Sequence, residues 1–183
     1  MIDVEDAAAM RQWVREADEK HALDLVIANA GISMGFDDVR PIEDVVSQIF
    51  NINVDGVFNT VHPALERMRP RRHGQLAIMS SLAGFRGLPG AAAYSASKAA
   101  LRSYGEGLRG YLHDEGIGVS VICPGFVQSR MTAVNRYPMP LLMDAPRAAQ
   151  IIQRGLARNQ GRIAFPAPMY AIAWLLMSAP AAW

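Results

Sequence analysis

A chain of 183 residues that is 51% hydrophobic and 19% charged can bury a real single-domain core and is too apolar to be disordered. Its 18 basic and 17 acidic side chains leave a net charge of +1, which gives no broad pull toward nucleic acid; the cluster Arg67, Arg69, Arg71, Arg72, His73 reads as a solvated helix end. Lone Cys123 excludes a disulfide framework and a cysteine zinc site, the 4 histidines lack metal-ligand spacing, and no secretory signal follows Met1, so a cytoplasmic protein without a bound metal is expected.

In chain order, Asp6 to Lys20 carries Ala9, Met10, Trp13, Val14 and Ala17 on one stripe and predicts a helix. Leu23 to Ala28 is a short apolar run of the kind found in buried parallel strands. Glu43 to Met68 reads as one long helix, with Pro41 at its start and Pro70 just past its end. Gln75 to Ser80 is a second strand. Ala92 to Glu115 is a long helix rich in Ala and Leu, stopped near Gly116. Val119 to Cys123 is a third strand, stopped by Pro124-Gly125. Pro146 to Asn159 is a helix, and Arg162 to Phe165 a fourth strand. Strands separated by helices of this length predict βαβ units: an α/β fold with a doubly wound parallel sheet of about four strands and flanking helices.

Ligands of such sheets bind outside the carboxyl ends of the strands. Each apolar strand here runs straight into small or polar residues: Asn29-Ala30-Gly31, then Ser80-Ser81, then Pro124-Gly125. The helix that follows Ser81 carries Tyr94-Ser95-Ala96-Ser97-Lys98. Residues four apart share a helix face, so a cation is placed beside a phenol. The ammonium favours phenolate, which predicts a Tyr94 pKa lowered toward the working range of a general acid/base.

These residues resemble the short-chain dehydrogenase/reductase family. The likeness rests on Asn29-Ala30-Gly31, on Asn53-Val54-Asp55-Gly56 in the long helix, on Ser80-Ser81, on Tyr94 to Lys98 and on Pro124-Gly125, with Ser81 thirteen positions before Tyr94. It holds from Asp3 to about Ser129 and runs more weakly to the end. The resemblance implies a Rossmann-like fold and an oxidoreductase that uses NAD or NADP to interconvert an alcohol and a carbonyl. Tyr94 would be the general acid/base. Lys98 would lower its pKa and hold the nicotinamide ribose. Ser81 would hydrogen-bond the substrate oxygen, and Asn53 would hold a water in a proton relay reaching Lys98. Asn29, Ala30 and Gly31 would line the cofactor near its adenosine ribose, with Asp3 and Val4 flanking the adenine. Pro124, Gly125 and Val127 would pack against the nicotinamide, and Ser129 would bond its carboxamide.

One family feature is missing. No glycine-rich pyrophosphate turn occurs near the N-terminus. Residues 1–183 are therefore expected to form a single incomplete domain, a fragment lacking a first βαβαβ unit of roughly 50–60 residues. Such a chain would be weakly active or inactive alone, and Leu23 to Ala28, meant to be central, would present a hydrophobic edge. The alternative is a natural half-domain acting as a non-catalytic binding or regulatory partner.

Two stretches fit other classes in part. Gly31-Ile32-Ser33-Met34-Gly35 fits a hydrolase nucleophile elbow, but His113 is the last histidine and Phe36-Asp37-Asp38 continues as loop, so Ser33 reads as a plain loop residue. Ile163 to Trp183 carries no charge, but Pro166, Pro168 and Pro180 interrupt it. It reads as a strand followed by a short apolar helix over the substrate pocket or a subunit contact, with peripheral membrane contact as the lesser reading.

By resemblance, Phe126 to Met143 should be a lid over the substrate. Its apolar, Met-rich composition suits a hydrophobic carbonyl or alcohol. Arg130 and Arg136 read as solvated. The long helices carry an apolar stripe of Ala99, Ala100, Tyr104, Leu108 and Tyr111, consistent with a homodimer or homotetramer of the complete protein.

Overall fold

The computed structural model describes residues 2–33, 40–135 and 137–180. Helix α1 spans Ala7–Lys20, and Asp6 caps it by accepting a hydrogen bond from the Ala9 amide at 2.9 Å. Strand β1 is Leu25–Ala28. The long predicted helix is one continuous rod in three parts: α2 (Ile42–Phe50), a π-helical stretch Asn51–Asp55, and α3 (Gly56–Met68). Strand β2 is Gly74–Met79, followed by a 3₁₀ turn at Leu82–Phe85 and helix α4 at Ala92–Tyr111. Strand β3 is Ile117–Pro124, longer than predicted because it is paired on both sides. A single turn of helix, α5 (Arg130–Ala133), then α6 (Ala145–Ala157), β4 (Arg162–Phe165) and α7 (Ala167–Ser178) complete the order. Helix α4 ends earlier than predicted because the chain tightens into 3₁₀ geometry at His113–Glu115. Gly116 then reverses it at φ 73, a conformation that favours glycine.

The four strands form one parallel sheet in the order β1-β2-β3-β4. Val26 faces Leu76, Leu76 faces Val119, and Ile122 faces Ile163. Side chains alternate between the two faces. On the first face Ala28, Leu76, Ile78 and Val119 pack against Val14 of α1, Val57, Val61 and Met68 of α3, and Leu101 of α4. On the second face Ala77, Ile122, Ile163 and Phe165 pack against Ala148 and Leu156 of α6. That second cover does not reach β1, where Leu25 and Ile27 are 39% and 44% exposed. The strand expected to be central in a complete sheet is the outer strand of this one.

Asp18 ties this outer strand to the helices. It is buried, and its carboxylate accepts from Arg67 at 3.0 Å, from Arg71 at 2.8 Å and from the Leu23 amide at 3.0 Å. Burial pushes its pKa up, but the Leu23 amide and the two guanidinium groups outweigh that and hold it below the usual carboxylate value. The predicted short apolar helix after the fourth strand is α7. Among the described residues no helix is long and apolar enough to cross a membrane.

Candidate active site

The carboxyl ends of β1, β2 and β3 bring the predicted residues to one edge of the sheet. Ser81 leaves β2 in extended conformation, and its hydroxyl accepts from the Ala83 amide at 3.1 Å and donates to the Pro124 carbonyl at 3.4 Å. Tyr94 and Lys98 stand one turn apart on α4. The Lys98 side chain is buried, its Nζ donates to the Met79 carbonyl at 2.9 Å, and it lies 5.7 Å from the centre of the Tyr94 ring.

The electrostatics differ from the sequence expectation. Burial raises the Tyr94 phenol above its ordinary value, and the nearby Ser81 hydroxyl opposes that rise. Lys98 does not bring the phenol down, because its ammonium points at the Met79 carbonyl and stands over the ring rather than at the hydroxyl. Burial instead lowers Lys98 itself to about 8, with Cys123 acting weakly the other way. The phenol is thus kept protonated at neutral pH, ready to donate, beside a lysine that loses its proton unusually easily.

Asn53 is fully buried in the π-helical stretch. Its Oδ1 accepts from the Ile32 amide at 2.7 Å, and its Nδ2 donates to the Ile32 carbonyl and to Ser97 Oγ, both at 3.0 Å. Ser97 in turn donates to the Tyr94 carbonyl at 2.8 Å. Both amide protons of Asn53 are therefore committed, and its side chain braces the β1 exit against α4. The π geometry that re-aims this turn is a feature often found at functional sites.

Gly31 closes the same cluster. A Cβ built there would sit 3.2 Å from both Asn53 Oδ1 and Lys98 Nζ, so glycine lets the β1 exit press against the lysine. Val4, Asn29 and Ala30 line a cleft of about 380 Å³ together with Ile2, Met10 and Trp13. Asp3 turns back on its own chain, where its carboxylate accepts from the Glu5 amide at 3.0 Å. Pro124 and Gly125 lead off β3. A Cβ on Gly125 would meet Met169 Sδ at 2.7 Å, so α7 packs directly behind this corner. Val127 bridges to Met143 at the base of the predicted lid. Ser129 has an exposed hydroxyl that caps α5, accepting from the Thr132 amide at 3.3 Å. Arg136, Met34, Gly35, Phe36, Asp37 and Asp38, named above, lie outside the described residues. Among the described residues no group of His, Cys, Asp and Glu side chains has metal-binding geometry.

The sequence assigns no role of their own to Ser97, Ser80 and Gly84. Ser97 announces itself only by standing next to Lys98. Ser80 donates to the Lys98 carbonyl at 2.7 Å, a contact that the Ser80-Ser81 doublet alone does not reveal.

Comparison with known proteins agrees with this fold. The family model described as short chain dehydrogenase matches residues 1–139. An uncharacterized oxidoreductase of Myxococcus xanthus is 43% identical over 166 residues, a match covering 90% of this chain and 66% of that protein. A 3-oxoacyl-[acyl-carrier-protein] reductase of Thermotoga maritima is 28% identical over 163 residues, covering 83% of this chain and 66% of its own length. Among solved structures, the apo form of LigD from Sphingobium superimposes with a TM-score of 0.77 at 27% identity, over 97% of this chain and 71% of that one. A short chain dehydrogenase from Burkholderia cenocepacia, solved with NADP, gives 0.83 at 20% identity over 97% and 74%, a likeness of fold. The chain spans about two-thirds of the length of the relatives it matches.

Proposed function

The chain belongs to the short-chain dehydrogenase family, and from that premise we propose that it carries the proton-transfer half of an NAD(P)-dependent oxidoreductase that interconverts an alcohol and a carbonyl. The observation that carries this reading is the placement of Ser81 at the exit of β2 beside α4, on which Tyr94 and the buried Lys98 stand one turn apart. Nicotinamide, when bound, supplies or accepts the hydride. The chain's residues do the rest. In the reducing direction the Ser81 and Tyr94 hydroxyls both hydrogen-bond the carbonyl oxygen, and the phenol gives up its proton as negative charge develops there. The raised phenol pKa suits this donor role. Lys98 stands one helical turn away over the face of the ring, and proton replacement runs through its ammonium.

The residues fit a nicotinamide dinucleotide in part. Val4, Asn29 and Ala30 line a cleft of a size that suits the adenosine end. Pro124, Gly125 and Val127 would flank the nicotinamide, with Lys98 on its ribose. The glycine-rich turn that would cradle the pyrophosphate has no counterpart in these residues. The reading is therefore a single incomplete domain, without its first βαβαβ unit, that turns over slowly at best. The exposed Leu25 and Ile27 favour a second reading, a half-domain that completes its sheet on a partner.

The proposed substrate is a small hydrophobic ketone, aldehyde or alcohol, held under the segment that carries Tyr137, Leu141 and Leu142, all exposed. The partly buried Tyr104 on α4, in contact with Phe58 and His62, supports pairing of the complete protein as a homodimer or homotetramer. The test is nicotinamide absorbance with hydrophobic ketones, using NADH and NADPH in turn. Slow turnover that vanishes in Tyr94→Phe supports the proposal; turnover that survives the substitution rejects it.

A further inference from the structure

We infer that Ser80 and Gly84 are positioning residues that clamp the Lys98 peptide of α4 and thereby set the spacing between the Ser81 and Tyr94 hydroxyls. Four observations meet at this point. Ser80 is buried, and its hydroxyl donates to the Lys98 carbonyl at 2.7 Å. On the far side of the 3₁₀ turn, a Cβ on Gly84 would stand 2.7 Å from the Lys98 carbonyl carbon, 2.8 Å from its oxygen and 2.9 Å from the Ala99 nitrogen. Those are backbone atoms of a helix and cannot swing aside as a side chain can. The Gly84 amide donates to the Ser81 carbonyl at 3.0 Å, and the Gly84 carbonyl accepts from Arg102 at 3.4 Å, so the turn is fixed at both ends.

The geometry has one consequence for the chemistry. Ser81 sits between the two contacts in sequence, and Tyr94 stands one helical turn from the peptide they grip. Turn and helix therefore move as one body, and the hydroxyl pair stays in register without a bound ligand. An alanine at Gly84 must push the turn off the helix, carrying Ser81 away from Tyr94. Displacements of about 1 Å far from the reacting atoms can cost about 100-fold in rate.

The inference deepens the proposed function and rests on it for the kinetic arm of the test alone. That arm compares kcat and KM of Gly84→Ala with wild type. The expected result is a kcat lower by about 100-fold with KM nearly unmoved, the split for misplaced groups that act in the transition state. The second arm needs no turnover: the Tyr94 phenol is titrated by NMR of an isotope-labelled tyrosine ring carbon and assigned with Tyr94→Phe. Gly84→Ala should titrate higher than wild type, because the Ser81 hydroxyl that opposes the rise is carried away from the phenol. Should Gly84→Ala fail to fold, Ser80→Ala removes only a hydroxyl and is expected to move both readouts the same way, with a kcat loss of about tenfold, and Ser80→Thr should restore them. A folded Gly84→Ala or Ser80→Ala chain whose phenol titrates as in wild type overturns the clamp. If wild type itself turns nothing over, the catalytic reading falls while the titration still decides the clamp.

Discussion

At the carboxyl end of β2, Asn53, Ser80, Ser81, Ser97 and Lys98 are all buried and all hydrogen-bonded; at the outer strand, Leu25 and Ile27 stand 39% and 44% exposed, beside a Trp13 that is 51% exposed. The two regions are one strand apart and built in opposite ways. The first is self-contained, since every buried polar group finds its partner within β1 to β3, the 3₁₀ turn and α4. The second leaves apolar side chains without a cover on one face of the sheet. The contrast separates two jobs. On the proposed function, placing the proton donor takes only short-range contacts of this closed region, whereas gripping a dinucleotide takes further backbone donors near β1.

The largest effect should come from the closed region. Tyr94→Phe removes the proton and little volume, so kcat should fall by about 10²–10⁴-fold with the circular-dichroism melt unchanged. A much smaller fall would mean that the phenol is not the donor and would erase the functional half of the contrast.

Next comes the seam between the regions. Asp18→Asn deprives Arg67 and Arg71 of a buried carboxylate. Both arginines are partly solvated, so the loss should be about 2–3 kcal/mol in urea unfolding, below that of a fully buried pair. A neutral result would show that the outer strand is held by packing alone.

Lys98 gives a pH-dependent test. Its folded pKa of about 8 lies below its ordinary 10.5, so the folded chain binds the proton less well than the unfolded one. The cost of burying the cation, about 3 kcal/mol at most, is fully present below pH 8, shrinks as pH rises toward 10.5, and is gone above it. Lys98→Met also forfeits the bond to Met79, so it should gain about 1–2 kcal/mol at neutral pH, shrinking through that window, while losing activity. Equal stability of wild type and variant at all pH values would mean that the ammonium is solvated.

The smallest effect belongs to the open region. Ile27→Lys should change stability by less than about 0.5 kcal/mol and should reduce self-association in light scattering, since a charge blunts a strand edge.

Much of this was legible in the sequence, for definite reasons. Alternating apolar runs and helical stripes identified all four strands and the long helices. Ser81, Tyr94 and Lys98 were legible because strand-end and one-turn spacings translate directly into space. The π-helical stretch at Asn53 was not, because one extra residue in a turn leaves no mark on an apolar stripe. The direction of the Tyr94 shift was misread for a related reason: sequence places Lys98 one turn away but is silent on the Met79 carbonyl that takes its ammonium. The capping role of Ser129 was not legible either, because its partner Thr132 defines a helix turn too short to show periodicity. Gly84 went unnoticed because its importance lies in a close backbone approach, which only the folded chain displays.

The most direct test of the central claim is the titration of the Tyr94 phenol in wild type and in Ser81→Ala. A wild-type phenol above its ordinary value, and a still higher one once the serine hydroxyl is gone, is the result expected of two hydroxyls sharing one proton-transfer centre. Identical titrations in the two proteins would contradict it.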